Sequence, residues 1–285
     1  MKDIFEADDQ VMLMDRRGRR YLIVLNRSET FHTHMGTLPH IELIGQQTGS
    51  WFTTSLGQNL LALKPTLAEY VQKVPRSTQV IYPKDMGNIL VLGDIFPGAI
   101  VLEAGLGSGA LTAALLRGVG MTGSVISYEN RESQIPSAMR MIHALVEEPH
   151  NLTIKIADIY AGIEEINLDR IILDVPEPWQ VVETASKALA PGGIFLSFLP
   201  TILQVHQLAK ALAYDPQFQL VETVETLLRP WHVTLRSVRP SHRMVAHTGF
   251  ITTARKCSPK PGTEKQLPRE WQLNEEKSPK EKCNG

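Results

Sequence analysis

VLEAGLGSG, residues 101–109, decides the fold. An apolar run at residues 99–102 ends in Glu103 and then in a turn carrying Gly105, Gly107 and Gly109. ALTAALLRGVG follows, apolar at helical spacing and halted near Gly118 and Gly120. Strand, glycine turn and helix, in that order, bring a backbone close to a nucleoside-bearing ligand. The first amides of the helix have no partner within it and point outward. Taken alone, such a turn also serves as a plain tight loop.

The spacing adds chemistry. A dinucleotide site wants G-x-G-x-x-G, with a pyrophosphate on the helix N-terminus. Here the glycines fall as G-x-G-x-G behind Glu103. A carboxylate in that place fits a cofactor with a cationic amino-acid end better than a pyrophosphate. The next apolar run, SVISYE, closes on Glu129, where an acid would meet a ribose diol. The pattern resembles the S-adenosylmethionine (SAM) site of Rossmann-like methyltransferases.

Working outward, residues 9–26 read as a hairpin, with QVMLMD and YLIVLN as strands and RRGRR as the turn. Arg16, Arg17, Arg19 and Arg20 crowd that turn, as a solvated tip or as a phosphate-contacting knob. Residues 30–54 mix His, Gly and Thr with short apolar runs and continue a small N-terminal β domain, 1–64. His32, His34 and His40 lack a neighbouring acid or cysteine at ligand spacing, so no metal is expected. A helix is expected from Pro65 to about Val74, then extended chain at Val80 to Tyr82, because Tyr82 precedes Pro83. Asp85 is expected to cap the helix that follows.

Strands at SVISYE, LTIKIAD, RIILD and GIFLSFL alternate with helices at about 132–147, 179–189 and 202–213. That alternation predicts a parallel doubly wound α/β sheet; with the glycine turn, residues 65–256 resemble a Rossmann-like methyltransferase domain. Pro191, Gly192 and Gly193 read as the turn into one strand. FQLVETVETLLR and HTGFITTARK read as an antiparallel C-terminal hairpin at its edge. Residues 257–285, rich in Pro, Lys and Glu, read as a disordered polar tail.

Composition narrows the function classes. Lys plus Arg number 29 against 30 for Asp plus Glu, a net charge of -1, so any nucleic-acid partner must be met by local basic patches. The two cysteines, Cys257 and Cys283, make neither a disulfide framework nor a zinc site, which points to a reducing, cytoplasmic setting. No run is long and apolar enough for a membrane span, and the acidic start is no signal peptide.

Four acids close strands: Glu103, Glu129, Asp158 and Asp174. In an open α/β sheet, ligands bind beyond those ends. Together the four define a pocket rim; singly, each could be a helix cap. Glu129 is read as binding ribose hydroxyls and Asp158 as accepting the exocyclic amine of the cofactor's adenine. Asp174 opens DVPEPW, where Pro176 and Pro178 stiffen the loop and remove two amide donors, leaving acceptors. The loop resembles the acid-Pro-Pro-aromatic loop of amino- and ring-nitrogen methyltransferases. Trp179 reads as a core anchor of the next helix rather than a wall of the site.

YPKD at residues 82–85, VLEAGLGSGALT, SYE, LDVPEPW and RPWHV…RPSHRMVAHTGF together resemble the tRNA (adenine-58)-N(1)-methyltransferases of the TrmI type, in order and over nearly the whole chain. The resemblance implies SAM as methyl donor, a T-loop adenosine of tRNA as substrate, a homotetramer, and catalysis at Asp174 and Tyr82. It implies a cofactor site of Thr78, Gln79, Val80, Glu103, Gly105, Leu106, Gly107, Ser108, Gly109, Glu129, Gln134, Asp158 and Asp174. Ala246 and Gly249 depart from the expected Gly and Ala of the last motif. Arg229, Arg236, Arg239 and Arg243, interleaved with Trp231, His232 and His242, would contact RNA; otherwise they are solvated charges on an edge hairpin. Two other readings stand beside this one. One is a same-fold methyltransferase acting on a protein or small molecule. The other is a non-catalytic RNA-binding subunit, which would be expected to lose the glycine turn or the Asp174 loop.

Overall fold

The computed structural model describes residues 4–73 and 80–259. Thr78 and Gln79, placed in the cofactor site by resemblance, and the tail from residue 260 lie outside the described residues.

The RRGRR turn joins β1 (Gln10–Asp15) to β2 (Arg20–Val24) as an antiparallel hairpin. With β5 (Trp51–Thr53) and β6 (Asn59–Leu63) they form a four-stranded sheet in the order β2-β1-β6-β5. A separate ribbon pairs β3 (Thr30–Thr33) with β4 (Gly36–Pro39). Phe5, Leu13, Leu25, Leu38, Leu43 and Leu60 are fully buried in this part's own apolar cluster. Each such side chain contributes about 1.5–3 kcal/mol of burial. Then α1 (Leu67–Lys73) begins two residues later than Pro65, because Thr66 and Glu69 form a reciprocal cap: Glu69 N–H donates to Thr66 Oγ1 at 3.3 Å and Thr66 N–H to Glu69 Oε2 at 3.1 Å.

The helix α2 (Pro83–Leu92) starts one turn earlier than expected. Tyr82, extended at φ -69° and ψ 148°, occupies the N-cap, and Pro83 supplies a preset φ at the first helical position. Asp85 is therefore not the cap; it lies inside the first turn and is fully buried. The main sheet has seven strands in the order β12-β15-β11-β10-β7-β8-β9. Its parallel part is β7 (Ile100–Ala104), β8 (Ser124–Glu129), β9 (Leu152–Ile156), β10 (Leu168–Leu173) and β11 (Leu189–Leu199). The near-continuous burial of β7, β10 and β11 fits strands covered on both faces. Covering them are α3 (Ala110–Val119), α4 (Ile135–Leu145), α5 (Val182–Ala188) and α6 (Ile202–Tyr214).

Pro191 to Gly193 does not precede the strand but bulges out within β11, where pairing jumps from Leu168↔Leu189 to Arg170↔Ile194. β12 (Phe218–Glu225) and β15 (Phe250–Lys256) pair antiparallel, as expected. Between them the chain makes a second ribbon, β13 (Trp231–Thr234) with β14 (Ser237–Pro240), which the residue pattern alone does not mark off. Gly249 belongs where it is: an added Cβ would lie 2.3 Å from the Phe198 ring. No helix among the described residues is long and apolar enough to cross a membrane.

Candidate active site

The chain runs from β7 out through β8 to β9, then returns to the other flank of β7 as β10. Strand order reverses between β7 and β10, and ligands of open α/β sheets sit at such a reversal. Backbone bonds carry the ladders to one common edge. Asp174 N–H donates to Ala104 O at 2.9 Å, Gly105 N–H to Tyr128 O at 3.1 Å, and Ala157 N–H to Glu129 O at 3.1 Å. The four acid-bearing strand ends thus lie side by side, over about 15 Å given strand spacing of about 4.8 Å.

The glycine turn and the Asp174 loop touch. Gly105 adopts φ +93°, and a Cβ there would lie 2.2 Å from the Asp174 carbonyl oxygen. Gly109 caps α3 at φ +80°, where a Cβ would lie 2.7 Å from Ala138 O of α4. Glycine is thus dictated at both positions by handedness and by contact. Ser108 Oγ accepts the Ala110 N–H at 3.3 Å, satisfying one of the helix-start amides. Leu106 is buried beside them.

Glu103 departs from the expected rim. It is fully buried under the turn, its Oε2 accepting the hydroxyls of Thr112 at 2.7 Å and Ser127 at 2.9 Å. Its Oε1 has no hydrogen-bond partner among the described residues. Burial, with smaller contributions from the Asp174 and Glu129 charges, pushes its carboxyl up to about 7 against the two hydroxyl bonds. An unpartnered buried acceptor next to a glycine cradle fits a ligand that ends in an ammonium. Above Gly107 an added Cβ would meet nothing closer than Gly105 O at 3.7 Å, so the turn leaves open space.

Glu129 points into the same turn. Its Oε2 accepts Gly107 N–H at 3.2 Å, and its Oε1 accepts Arg131 N–H at 3.0 Å and Arg131 Nε–H at 3.3 Å. Three donors leave capacity on a carboxylate for a further hydroxyl. Asp158 caps the 3-10 turn Ile159–Ala161, its Oδ1 accepting Tyr160 N–H at 3.0 Å, so the capping role open to each acid is realised here. Gln134 lies in the 3-10 turn Glu132–Gln134 that leads into α4.

Asp174 is reached by solvent, yet protein surrounds its carboxyl closely enough that desolvation pushes it up to about 6. The DVPEPW loop is held from outside: Glu177 N–H donates to Tyr160 Oη at 2.9 Å, and Gln204 Nε2–H donates to Pro176 O at 3.0 Å. Pro176 O, one of the acceptors the prolines leave, is therefore already engaged. Trp179 packs into the apolar cluster below, as an anchor. Tyr160 and Gln204 do not stand out in the sequence. Their role depends on strands and helices distant in the chain meeting, and no local pattern announces it.

Tyr82 stands at the start of α2, and the turn beneath it is clamped. Lys84 Nζ donates to Asp85 Oδ1 at 2.8 Å, Thr226 O at 2.6 Å and Thr248 Oγ1 at 2.5 Å, while Thr248 Oγ1 donates to Asp85 Oδ2 at 2.6 Å. This buried network ties Tyr82 to both ends of the segment that carries the β13–β14 ribbon. Val80 and Ser108 share the wall of a cleft of about 1460 Å³ that runs on between β2, α1 and α4. The four acids do not line that cleft.

Arg229, Trp231, His232, Arg239 and Arg243 lie on or beside the β13–β14 ribbon, well away from the strand ends in sequence and largely exposed. The His trio is scattered: His40 is buried with Nδ1 accepting Asn26 N–H at 3.2 Å, and His34 Nε2 accepts from Arg19 at 2.8 Å. Among the described residues no His, Cys, Asp and Glu cluster could hold a metal.

Known proteins fall in line with this geometry. A family model described as "tRNA methyltransferase complex GCD14 subunit" matches residues 59–249, and one described as "TrmI-like N-terminal" matches residues 4–51. The chain is 38% identical over 247 residues to the tRNA (adenine(58)-N(1))-methyltransferase TrmI of Thermus thermophilus, covering 86% of this chain and 96% of that protein. Among solved structures, a Thermotoga maritima protein described as a SAM-dependent O-methyltransferase superposes with a TM-score of 0.86 at 34% identity, covering 90% of this chain and 96% of that one. TrmI of Aquifex aeolicus superposes with a TM-score of 0.78 at 28% identity, covering 90% and 100%. Matched over most of its length by the family model and 38% identical to a curated TrmI, the chain belongs to the TrmI/GCD14 family of tRNA methyltransferases.

Proposed function

We propose that this protein methylates the N1 ring nitrogen of adenosine 58 in the T-loop of tRNA, with SAM as donor. The observation that carries the reading is the close approach of Gly105 to the Asp174 backbone, which sets the glycine turn directly beside the Asp174 loop. When bound, SAM supplies an electrophilic methyl group on a sulfonium. Val80, Leu106, Gly107, Ser108, Gly109, Glu129, Gln134 and Asp158 would hold it, with Thr78 and Gln79, and Glu103 would face its cationic end.

Asp174 does the work on the substrate side. Its carboxylate accepts the exocyclic amine of the target adenine and so turns N1 toward the crevice. N1 is an unprotonated nucleophile and needs no base. The ring becomes cationic as it reacts, so the carboxylate is worth more in the transition state than before it. Tyr82, fixed by the clamp below it, forms a second wall for the base. The base must leave a folded loop, which costs a few kcal/mol; Arg229, Trp231, His232, Arg239 and Arg243 would offset this through phosphate contact and stacking.

Incubating unmodified tRNA with methyl-labelled SAM and digesting it to nucleosides tests the proposal directly. Label in 1-methyladenosine is expected. The Thermotoga neighbour's description as an O-methyltransferase favours the alternative of a small-molecule or protein acceptor; label found there, and not in tRNA, would establish that alternative.

Glu103 gives the binding step a pH signature. Its carboxyl titrates at about 7, so it carries the charge that suits an ammonium only above that pH. SAM affinity is expected to weaken about tenfold from pH 8 to pH 6, since each pH unit below the pKa removes tenfold of the ionised form. Glu103→Gln should bind weakly at both. Calorimetric titration reads both effects, and a flat wild-type profile would count against the assignment. The sign for stability is opposite: the native state keeps a proton that the unfolded chain releases, so stability falls as pH rises toward 7.

Self-association completes the proposal, as a homotetramer. Edge strand β12 is exposed along nearly its whole length, and Leu220, Leu227, Leu228, Val233, Leu235 and Val238 are exposed in the same region. A free edge beside so large an apolar patch is what an interface between copies would cover. Sedimentation should give a mass near four chains of 31.8 kDa. Leu235→Asp should lower it, and a wild-type monomer would refute the assembly.

A further inference from the structure

The β1–β2 turn holds a basic cup with a built floor. Asp15, at the end of β1, is 3% exposed and fully engaged within the turn. Its Oδ1 accepts Arg17 N–H at 2.8 Å and Arg19 N–H at 3.0 Å, and its Oδ2 accepts Arg19 Nε–H at 2.6 Å. Gly18, at φ +76°, closes the turn with its N–H on Asp15 O at 2.9 Å. Arg19 is held at two further points, because its Nη2 donates to His34 Nε2 at 2.8 Å and to Met35 Sδ at 3.6 Å. Arginine has no acceptor, so His34 Nε2 carries no proton there.

The charge does not cancel. Asp15 is spent on Arg19, and Arg20 pairs with Glu69 of α1 at 3.2 Å. Among the described residues, neither the Arg16 nor the Arg17 side chain has an acidic partner. Both line a hollow of about 280 Å³ together with Arg19, His34 and Gln58. On a chain of net charge -1, two uncompensated guanidiniums above a braced third form a local patch that composition alone hides. A preorganised guanidinium matches the fork of a phosphate and loses little freedom on binding it.

We propose that this cup binds the phosphate backbone of a structured RNA. It rests on the tRNA reading above, and makes the N-terminal β domain a second point of contact remote from the reacting base. The turn contributes position and affinity, not base identity, since phosphates carry no sequence.

The test is tRNA binding by the full chain across a salt series, for wild type and Arg16→Glu/Arg17→Glu, with melting temperature and the SAM-induced thermal shift as controls on folding. Each phosphate that the variant no longer neutralises should flatten the log–log salt slope by about 0.7–0.9. The double variant should therefore have a slope shallower by about 1.5 and bind at least tenfold more weakly near 0.1 M salt, with both controls unchanged. Arg16→Lys/Arg17→Lys should restore much of the slope. Wild-type affinity and slope in the glutamate variant would overturn the cup. Should wild type bind RNA with a slope that the variant lacks, yet place no label in tRNA, the cup would stand and the proposed reaction would fall.

Discussion

Asp174→Ala is expected to bind SAM almost as wild type does and to lose about a thousandfold in single-turnover methylation. In the proposed reaction the carboxylate serves the substrate, while the glycine turn, whose Gly107 N–H is held by Glu129, serves the cofactor. Two effects disappear with it: the acceptor that orients the exocyclic amine, and the negative charge beside a ring that becomes cationic. Removing one preorganised electrostatic group costs about 10²–10³ in rate. Asp174→Asn separates the two. Its amide oxygen still accepts the amine, so it should retain more activity than alanine but fall about a hundredfold short of wild type. Desolvation pushes the Asp174 carboxyl up to about 6, so wild-type turnover should also decline below that pH, and the asparagine variant should lack that limb. Rapid-quench turnover with saturating SAM and tRNA reads each quantity. Wild-type turnover in the alanine variant would remove Asp174 from the chemistry.

The second large effect is expected at Gly105→Ala, and it is one of architecture. An alanine Cβ would stand 2.2 Å from the Asp174 carbonyl oxygen, on a residue at φ +93°. Left-handed backbone costs a non-glycine residue about 1–2 kcal/mol. Forcing apart two packed strand ends adds about 1–3 kcal/mol. A fall in melting temperature of several degrees should therefore be joined by loss of the SAM-induced shift, because the turn and the Asp174 loop must both move. Gly107→Ala is the comparison: at φ +49° it carries the same left-handed cost, but the added methyl meets nothing nearer than 3.7 Å, so it should lose less stability than Gly105→Ala. Calorimetry with and without SAM distinguishes them. Equal melting temperatures for wild type and Gly105→Ala would mean that the contact between the turn and the Asp174 loop yields freely.

Much of this is legible in order along the chain. The turn at residues 101–109 announces itself because strand, positive-φ glycines and helix are local requirements written in adjacent residues. The alternation of apolar runs marks the parallel sheet, since burial on both faces leaves an unbroken apolar signature in β7, β10 and β11. Asp85 and Glu103 are harder. Each reads as an ordinary acid at an element's end, one as a cap and one as a rim. Burial is a property of what packs from elsewhere: Lys84 with Thr248 in the first case, Thr112 with Ser127 in the second.

By itself, then, the sequence determined the sheet, the glycine turn and the family, because periodicity, glycine handedness and motif order are carried by neighbouring residues. Only the tertiary structure decided that Gly105 touches Asp174, that Glu103 keeps an oxygen beneath the turn with no partner among the described residues, and that Tyr160 and Gln204 brace the Asp174 loop. It also decided which of four crowded arginines keep their charge uncompensated. These are contacts between segments far apart in the chain, and their energies depend on distance and desolvation, which no local pattern of residue types encodes.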